Sequence, residues 1–188
     1  MYSDRYRCIF IHQRKVAGTA IKLAFGVTKR TGLFNLRKNP EWNLYNDGVL
    51  SPEWKTRPDY FVFSAVRNPF DRLVSAWRYL ESTRERPLLD VLQNPPREGH
   101  DYRHLTRPQV DTIRKQDGSM VTQFLLRYET LQSDFEMLAK IVGLGDAALP
   151  IVNRSERVSD YRQYFDGETR RIAERMFHED LEAFGYEF

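Results

Sequence analysis

Cys8-Ile9-Phe10-Ile11 is a short, unbroken apolar run. Such a run suits a strand that is covered on both faces of a parallel sheet. Polar and small residues follow it, Gln13, Arg14, Lys15, Val16, Ala17, Gly18 and Thr19, and then Ile21, Ala24 and Phe25 fall at helical spacing. Strand, tight loop and helix together aim unpaired backbone N–H groups at an anion, and the helix dipole favours the same charge. Gly18 permits close approach to the backbone, Thr19 offers a hydroxyl and Lys15 a mobile positive charge. The stretch reads as a phosphate or sulfate cradle, against the plainer alternative of a strand-to-helix turn with a solvated lysine. It is not a Walker A loop, which needs Gly-Lys-Ser/Thr; here the lysine precedes the glycine by three residues.

A second unit of the same kind follows. Tyr60, Phe61, Val62, Phe63, Ala65 and Val66 predict a near-continuous apolar strand that Arg67 ends. Asn68 is placed as the N-cap of the next helix and Pro69 as its first residue, with Asp71 three positions after the cap. Phe70, Leu73, Val74, Trp77 and Leu80 keep a 3.6-residue period, which predicts one buried face. Two such units give an α/β architecture with ligands expected at the carboxyl ends of the strands. Arg67 ends the strand and Ser75 lies two turns into the helix; a guanidinium fork can clamp a phosphate and a helix hydroxyl can donate to one, and the alternative is a structural ion pair beside a tolerated helix serine.

The remaining segments are read more coarsely. Residues 28–48 mix Lys29, Arg30, Arg37 and Lys38 with Phe34, Leu36, Trp42 and Tyr45, which fits a sugar- or polyanion-binding loop as well as a surface loop pinned by its aromatics. Ser51 and Pro52 predict a short helix start. A short helix is expected over 88–93, a mobile loop over 94–103, and a polar helix or turn around Val110 and Ile113. Residues 121–127 predict a third core strand. A helix is expected from Tyr128 with Leu131, Phe135, Leu138 and Val142 inward and Gly143 as its stop.

Lys15-Val16-Ala17-Gly18-Thr19 resembles the 5′-phosphosulfate loop of the sulfotransferases that use 3′-phosphoadenosine 5′-phosphosulfate (PAPS), and Arg67 with Ser75 resembles their 3′-phosphate-binding pair. Tyr128-Glu129-Thr130-Leu131-Gln132-Ser133-Asp134-Phe135 is similar to a segment of the carbohydrate branch of that family. So are the Leu149-Pro150-Ile151-Val152-Asn153-Arg154-Ser155 loop and the Phe184-Gly185-Tyr186 ending of a C-terminal helix over 161–188. Its last aromatics are expected to dock the C-terminus on the sheet. The resemblance implies a three-layer P-loop-like fold, a central parallel sheet flanked by helices, as a single domain over 1–188. It further implies transfer of a sulfuryl group from PAPS to a hydroxyl of a carbohydrate or glycoconjugate, with release of 3′-phosphoadenosine 5′-phosphate. Lys15 would stabilise the leaving oxygen or the sulfuryl group, and Arg14, Ala17, Gly18, Thr19 and Ala20 would line the 5′ end of the cofactor. Arg67 and Ser75 would hold the 3′-phosphate, with Arg154 and Ser155 approaching from the late loop. No metal is implied.

The loop departs from the family's usual Pro-Lys-Thr-x-Gly-Thr-Ser at Arg14, Val16 and Ala20. Val16 and Ala20 each lack a hydroxyl that could touch the sulfate or phosphate, so a non-catalytic nucleotide- or polyanion-binding relative is an alternative, and a P-loop-like kinase a more remote one. For the general base, His104 is preferred, following a mobile loop near the cleft mouth; Glu81, one to two turns beyond Ser75 on the same helix, and His100 are the others. His12 is expected to be packed and hydrogen-bonded, and His178 solvated.

A net charge of +3 over 188 residues fits an enzyme for anionic ligands and falls short of a nucleic-acid binder. Cys8 is the only cysteine, which leaves no disulfide framework and no cysteine zinc site and favours a reducing compartment. No apolar run approaches a membrane span, and the first strand begins too early for a signal peptide, so a soluble, cytoplasmic protein is expected.

Overall fold

A computed structural model of the chain describes residues 1–26, 57–150 and 160–188. The expectations for 28–48, for Ser51 and for the loop from Ile151 through Arg154 and Ser155 fall outside these residues.

The described strands form one four-stranded sheet in the order β1 (Tyr2–Ser3), β2 (Cys8–Ile11), β3 (Phe61–Val66), β4 (Phe124–Arg127). β1 runs antiparallel to β2, while β2–β3 and β3–β4 are parallel, with Ile9 opposite Val62 and Val66 opposite Arg127. The apolar runs behave as their composition requires: all four residues of β2 and the last five of β3 are buried. The third core strand is shorter than the expected 121–127, because Gln123 leaves the ladder and grips Val62 from outside it. Its N–H donates to the Val62 carbonyl at 2.8 Å, and its Oε1 accepts from the Val62 N–H at 2.5 Å.

The chain divides into two compact units. Met1–Val66 with Thr112–Asn153 is one, and Arg67–Asp111 with Arg154–Phe188 is the other. The first holds the sheet, α1 (Gly18–Ala24) and α5 (Leu131–Val142). Phe10, Phe63 and Phe25 stack in its core, with Ile21, Phe135, Leu138 and Val142 closing round them. α5 begins three residues later than expected, since Tyr128–Thr130 is a 3₁₀ turn; it stops at Gly143, left-handed at φ 72°.

The second unit is helical among its described residues: α2 (Pro69–Tyr79), α3 (Leu88–Gln93), α4 (Gly99–Leu105), α6 (Gly167–Met176) and α7 (His178–Phe184). Asn68 caps α2 as its position predicts, its side chain accepting from the Phe70 N–H at 3.0 Å. Three features differ from the sequence reading. The buried surface of α2 is not one stripe, because Arg72, Ser75 and Ala76 are buried along with the apolar positions. Much of 94–103 is helical rather than a loop: α4 forms because Leu105 and His104 are buried anchors, and Thr106 Oγ1 ties the preceding turn down on the Pro96 carbonyl at 2.9 Å. The C-terminal segment is two helices broken at Phe177, not one, and Phe188, Phe165 and Tyr161 pack around the ring of Phe70 on α2.

Candidate functional site

In the first unit the candidate loop runs from His12 to Ala20. Lys15 and Ala17 both adopt left-handed backbone, φ 63° and 62°, a conformation that non-glycine residues rarely take. These two turns bracket Val16, whose side chain is fully buried in the core beside Phe10 and Ile21. That revises the expectation for Val16: its methyls replace no hydroxyl at the loop surface, because the side chain faces the interior. Ala17 is also the N-cap of α1, with no side-chain cap and no acidic residue in the first turn. A left-handed residue entering a helix turns successive N–H groups to one side, the geometry of an anion nest. Gly18 and Ala20 are buried and Thr19 is half-buried.

The space over Gly18 is taken by a side chain of this protein. A Cβ on Gly18 would stand 2.1 Å from Cδ2 and Nε2 of His12. The His12 ring leans on Phe10 and its Nδ1 lies 3.3 Å from Lys22 Nζ, so the expectation of a packed, hydrogen-bonded histidine holds. Burial first, and then the nearby Arg14 guanidinium, push the Lys22 ammonium down to about 8. The loop thus gathers Arg14, Lys15 and Lys22 around an uncapped helix start. Lys22 escaped the sequence reading; its signal was the four-residue spacing from Gly18, which sets it one turn above the loop on α1.

In the second unit Arg67 directly follows the last residue of β3, and its side chain is only 4% exposed. Asp71, one turn along, holds one edge of its guanidinium: Nε and Nη2 donate to Oδ2 at 2.7 and 2.6 Å. Asp71 therefore serves Arg67 and leaves the helix cap to Asn68. The Arg67 backbone is held as well, since its N–H donates to Gln109 Oε1 at 3.0 Å and its carbonyl accepts from Gln109 Nε2 at 2.9 Å. Ser75, two turns along α2, is buried. Arg72 is buried too, donating to the carbonyls of His104 and Arg107; burial lowers its pKa, with Asp180 opposing that shift. Sequence reasoning missed Gln109, Asp180 and Arg72, because long-range partners leave no trace in local spacing.

His104 lies in α4, 5% exposed, with Nδ1 2.9 Å from the His100 carbonyl and its ring stacked on Tyr79 and close to His100. An Nδ1–H donated to that carbonyl leaves Nε2 as the basic nitrogen. Glu81 is exposed and lies past the end of α2, not on it. His100 is exposed and pairs with Asp101, whose carboxyl is held below the usual range by the Ser82 hydroxyl and by His100. His178 is exposed at the start of α7.

Among the described residues no group of three or more His, Cys, Asp or Glu side chains could hold a metal ion, and no helix is long and apolar enough to cross a membrane. Compared with known families, residues 1–187 match one described as the sulfotransferase family. No curated protein and no solved structure matches the chain.

Proposed function

We propose that this chain, which belongs to the sulfotransferase family, moves a sulfuryl group from PAPS to a hydroxyl of a carbohydrate or glycoconjugate. The observation that carries the reading is the loop of residues 14–20: left-handed turns at Lys15 and Ala17 lead into a helix start with neither a side-chain cap nor an acidic first turn. With Arg14, Lys15 and Lys22 around it, that arrangement suits a dianionic group. We read the fold as the three-layer P-loop-like form of the family, one domain over 1–188.

PAPS, when bound, supplies the activated sulfuryl group and departs as 3′-phosphoadenosine 5′-phosphate. The N–H groups of Gly18, Thr19 and Ala20 hold its 5′ end, with Arg14 and Ala17 lining the same loop. Arg67 and Ser75 hold the 3′-phosphate, and Arg154 and Ser155 support the nucleotide. Lys15 Nζ stabilises negative charge as it grows on the leaving oxygen, so positioning and charge stabilisation carry most of the rate. His104 takes the acceptor's proton at Nε2, the nitrogen that its bond to the His100 carbonyl leaves basic. The lone, buried Cys8 fits a reducing, cytoplasmic setting.

The test is transfer of ³⁵S from labelled PAPS to a panel of monosaccharides, oligosaccharides and phenols. Label on a glycan hydroxyl is the expected result. Binding of the nucleotide with no transfer to any acceptor would leave a non-catalytic relative.

A further inference from the structure

We infer that Gln109, fixed by Asp180, is a positioning residue for Arg67 and sets the affinity of that guanidinium for an anion. The inference rests on the proposed role of Arg67 and extends it to two residues on distant segments. Arg67 is the first residue beyond β3, where its N–H and carbonyl still need partners away from water. The Gln109 carboxamide supplies both, accepting from the N–H at 3.0 Å and donating to the carbonyl at 2.9 Å, like one rung of a sheet ladder. Those two groups belong to the peptides on either side of the Arg67 Cα. Holding both planes fixes φ and ψ, and so fixes the direction in which the side chain leaves the backbone.

The carboxamide is itself locked. Asp180 is fully buried; its Oδ2 accepts from the Gln109 N–H at 2.9 Å and from Nε2 at 3.1 Å, and its Oδ1 accepts from the Val110 N–H at 2.9 Å. Nε2 therefore faces two acceptors, the Arg67 carbonyl and the Asp180 carboxylate, and a flipped amide would set its oxygen against both. On the other side, Asn68 Nδ2 donates to the Glu187 carbonyl at 2.7 Å. The root of the Arg67 side chain is thus held by Gln109 and Asp180, and its tip by Asp71. Burying a carboxamide and a carboxylate is expensive compared with an apolar pair of the same shape, so stability alone is a weak reason for them. Aiming a guanidinium at a phosphate is a stronger one, because a bidentate contact tolerates little misplacement.

The test compares wild type with Gln109→Met, which keeps the length and removes the carboxamide's hydrogen bonds to Arg67 and to Asp180. Titration calorimetry with 3′-phosphoadenosine 5′-phosphate and with AMP gives the ratio of the two affinities. We expect Gln109→Met to lose about tenfold on the 3′-phosphorylated nucleotide and little on AMP, and to add no further loss in an Arg67→Ala background. Equal losses on both nucleotides, or full additivity with Arg67→Ala, would overturn the inference in favour of a purely structural role. If Gln109→Met does not fold, Gln109→Asn, which draws the carboxamide back by one methylene, is measured the same way. The Arg67 Nε–H resonance of the ligand-free protein, assigned by its loss in Arg67→Lys, supplies an independent readout. It should shift or broaden in the Gln109 variant, and an unchanged resonance would contradict the inference. A wild type with no preference between the nucleotides refutes the role given to Arg67, and the resonance still decides whether Gln109 positions it.

Discussion

The ring of His12 occupies the space over Gly18 where any other residue would place its Cβ, 2.1 Å from two ring atoms. The glycine that looks like an opening for a ligand is also the seat of a histidine six residues earlier. Gly18→Ala should therefore destabilise the protein by about 1–3 kcal/mol, the usual cost of overpacking. His12→Ala in the same chain should recover most of that loss in a thermal melt. Additive losses in the double variant would show that the ring is not the obstacle.

How far the chain can be read from its residues follows from the range of the contacts. β2, β3 and the Asn68-Pro69 start of α2 were legible, because burial pattern and cap chemistry are local. Arg67 was legible as a strand-end cation, yet Asp71 was read only as a first-turn acid, although the four-residue spacing allowed the ion pair. Gln109 and Asp180 lie 42 and 113 positions from Arg67, and no periodicity links them. α4 was hidden by Gly99 and its charged neighbours, since only His104 and Leu105 of its seven residues are buried. Val16 read as a missing hydroxyl because the left-handed turns that send it inward are carried by Lys15 and Ala17, residue types that do not announce them.

Lys15→Ala should leave the fold intact and cut turnover by roughly 10²–10³, the scale of one lost transition-state donor. Affinity for 3′-phosphoadenosine 5′-phosphate, measured by calorimetry, should change much less. A variant with full turnover and weakened nucleotide binding would make Lys15 a ground-state anchor.

Lys22 gives the loop a pH dependence. Its folded value is pushed down to about 8 from 10.5, so between those values the unfolded chain holds more protons and stability rises with pH. Lys22→Met should therefore raise the melting temperature at pH 7, and the gain should fade as pH climbs through that window. Nucleotide affinity of the wild type should fall above about pH 8 as the ammonium loses its proton, and the fall should flatten in the variant. A gain independent of pH would show that packing, not charge, is what the substitution relieves.

His104→Ala should lower the rate by about 10²–10⁴ and remove the acid limb of the rate–pH profile. Glu81→Gln should change neither, because Glu81 is exposed and lies beyond the end of α2. A full rate and an unchanged profile in His104→Ala would pass the role to His100 or to the acceptor itself.

The role proposed for Arg67 and Ser75, recognition of a phosphate on the 3′ position of a nucleotide, is tested most directly by one thermal-shift comparison. Wild-type protein is melted with 3′-phosphoadenosine 5′-phosphate and with AMP at equal concentrations, alongside Arg67→Ala. Hydrogen bonds to a charged group are worth about 1.5–3 kcal/mol each, so the first nucleotide should stabilise the wild type far more than AMP does. In Arg67→Ala that advantage should shrink by at least roughly tenfold in affinity. Equal shifts from the two nucleotides on the wild type would contradict the account.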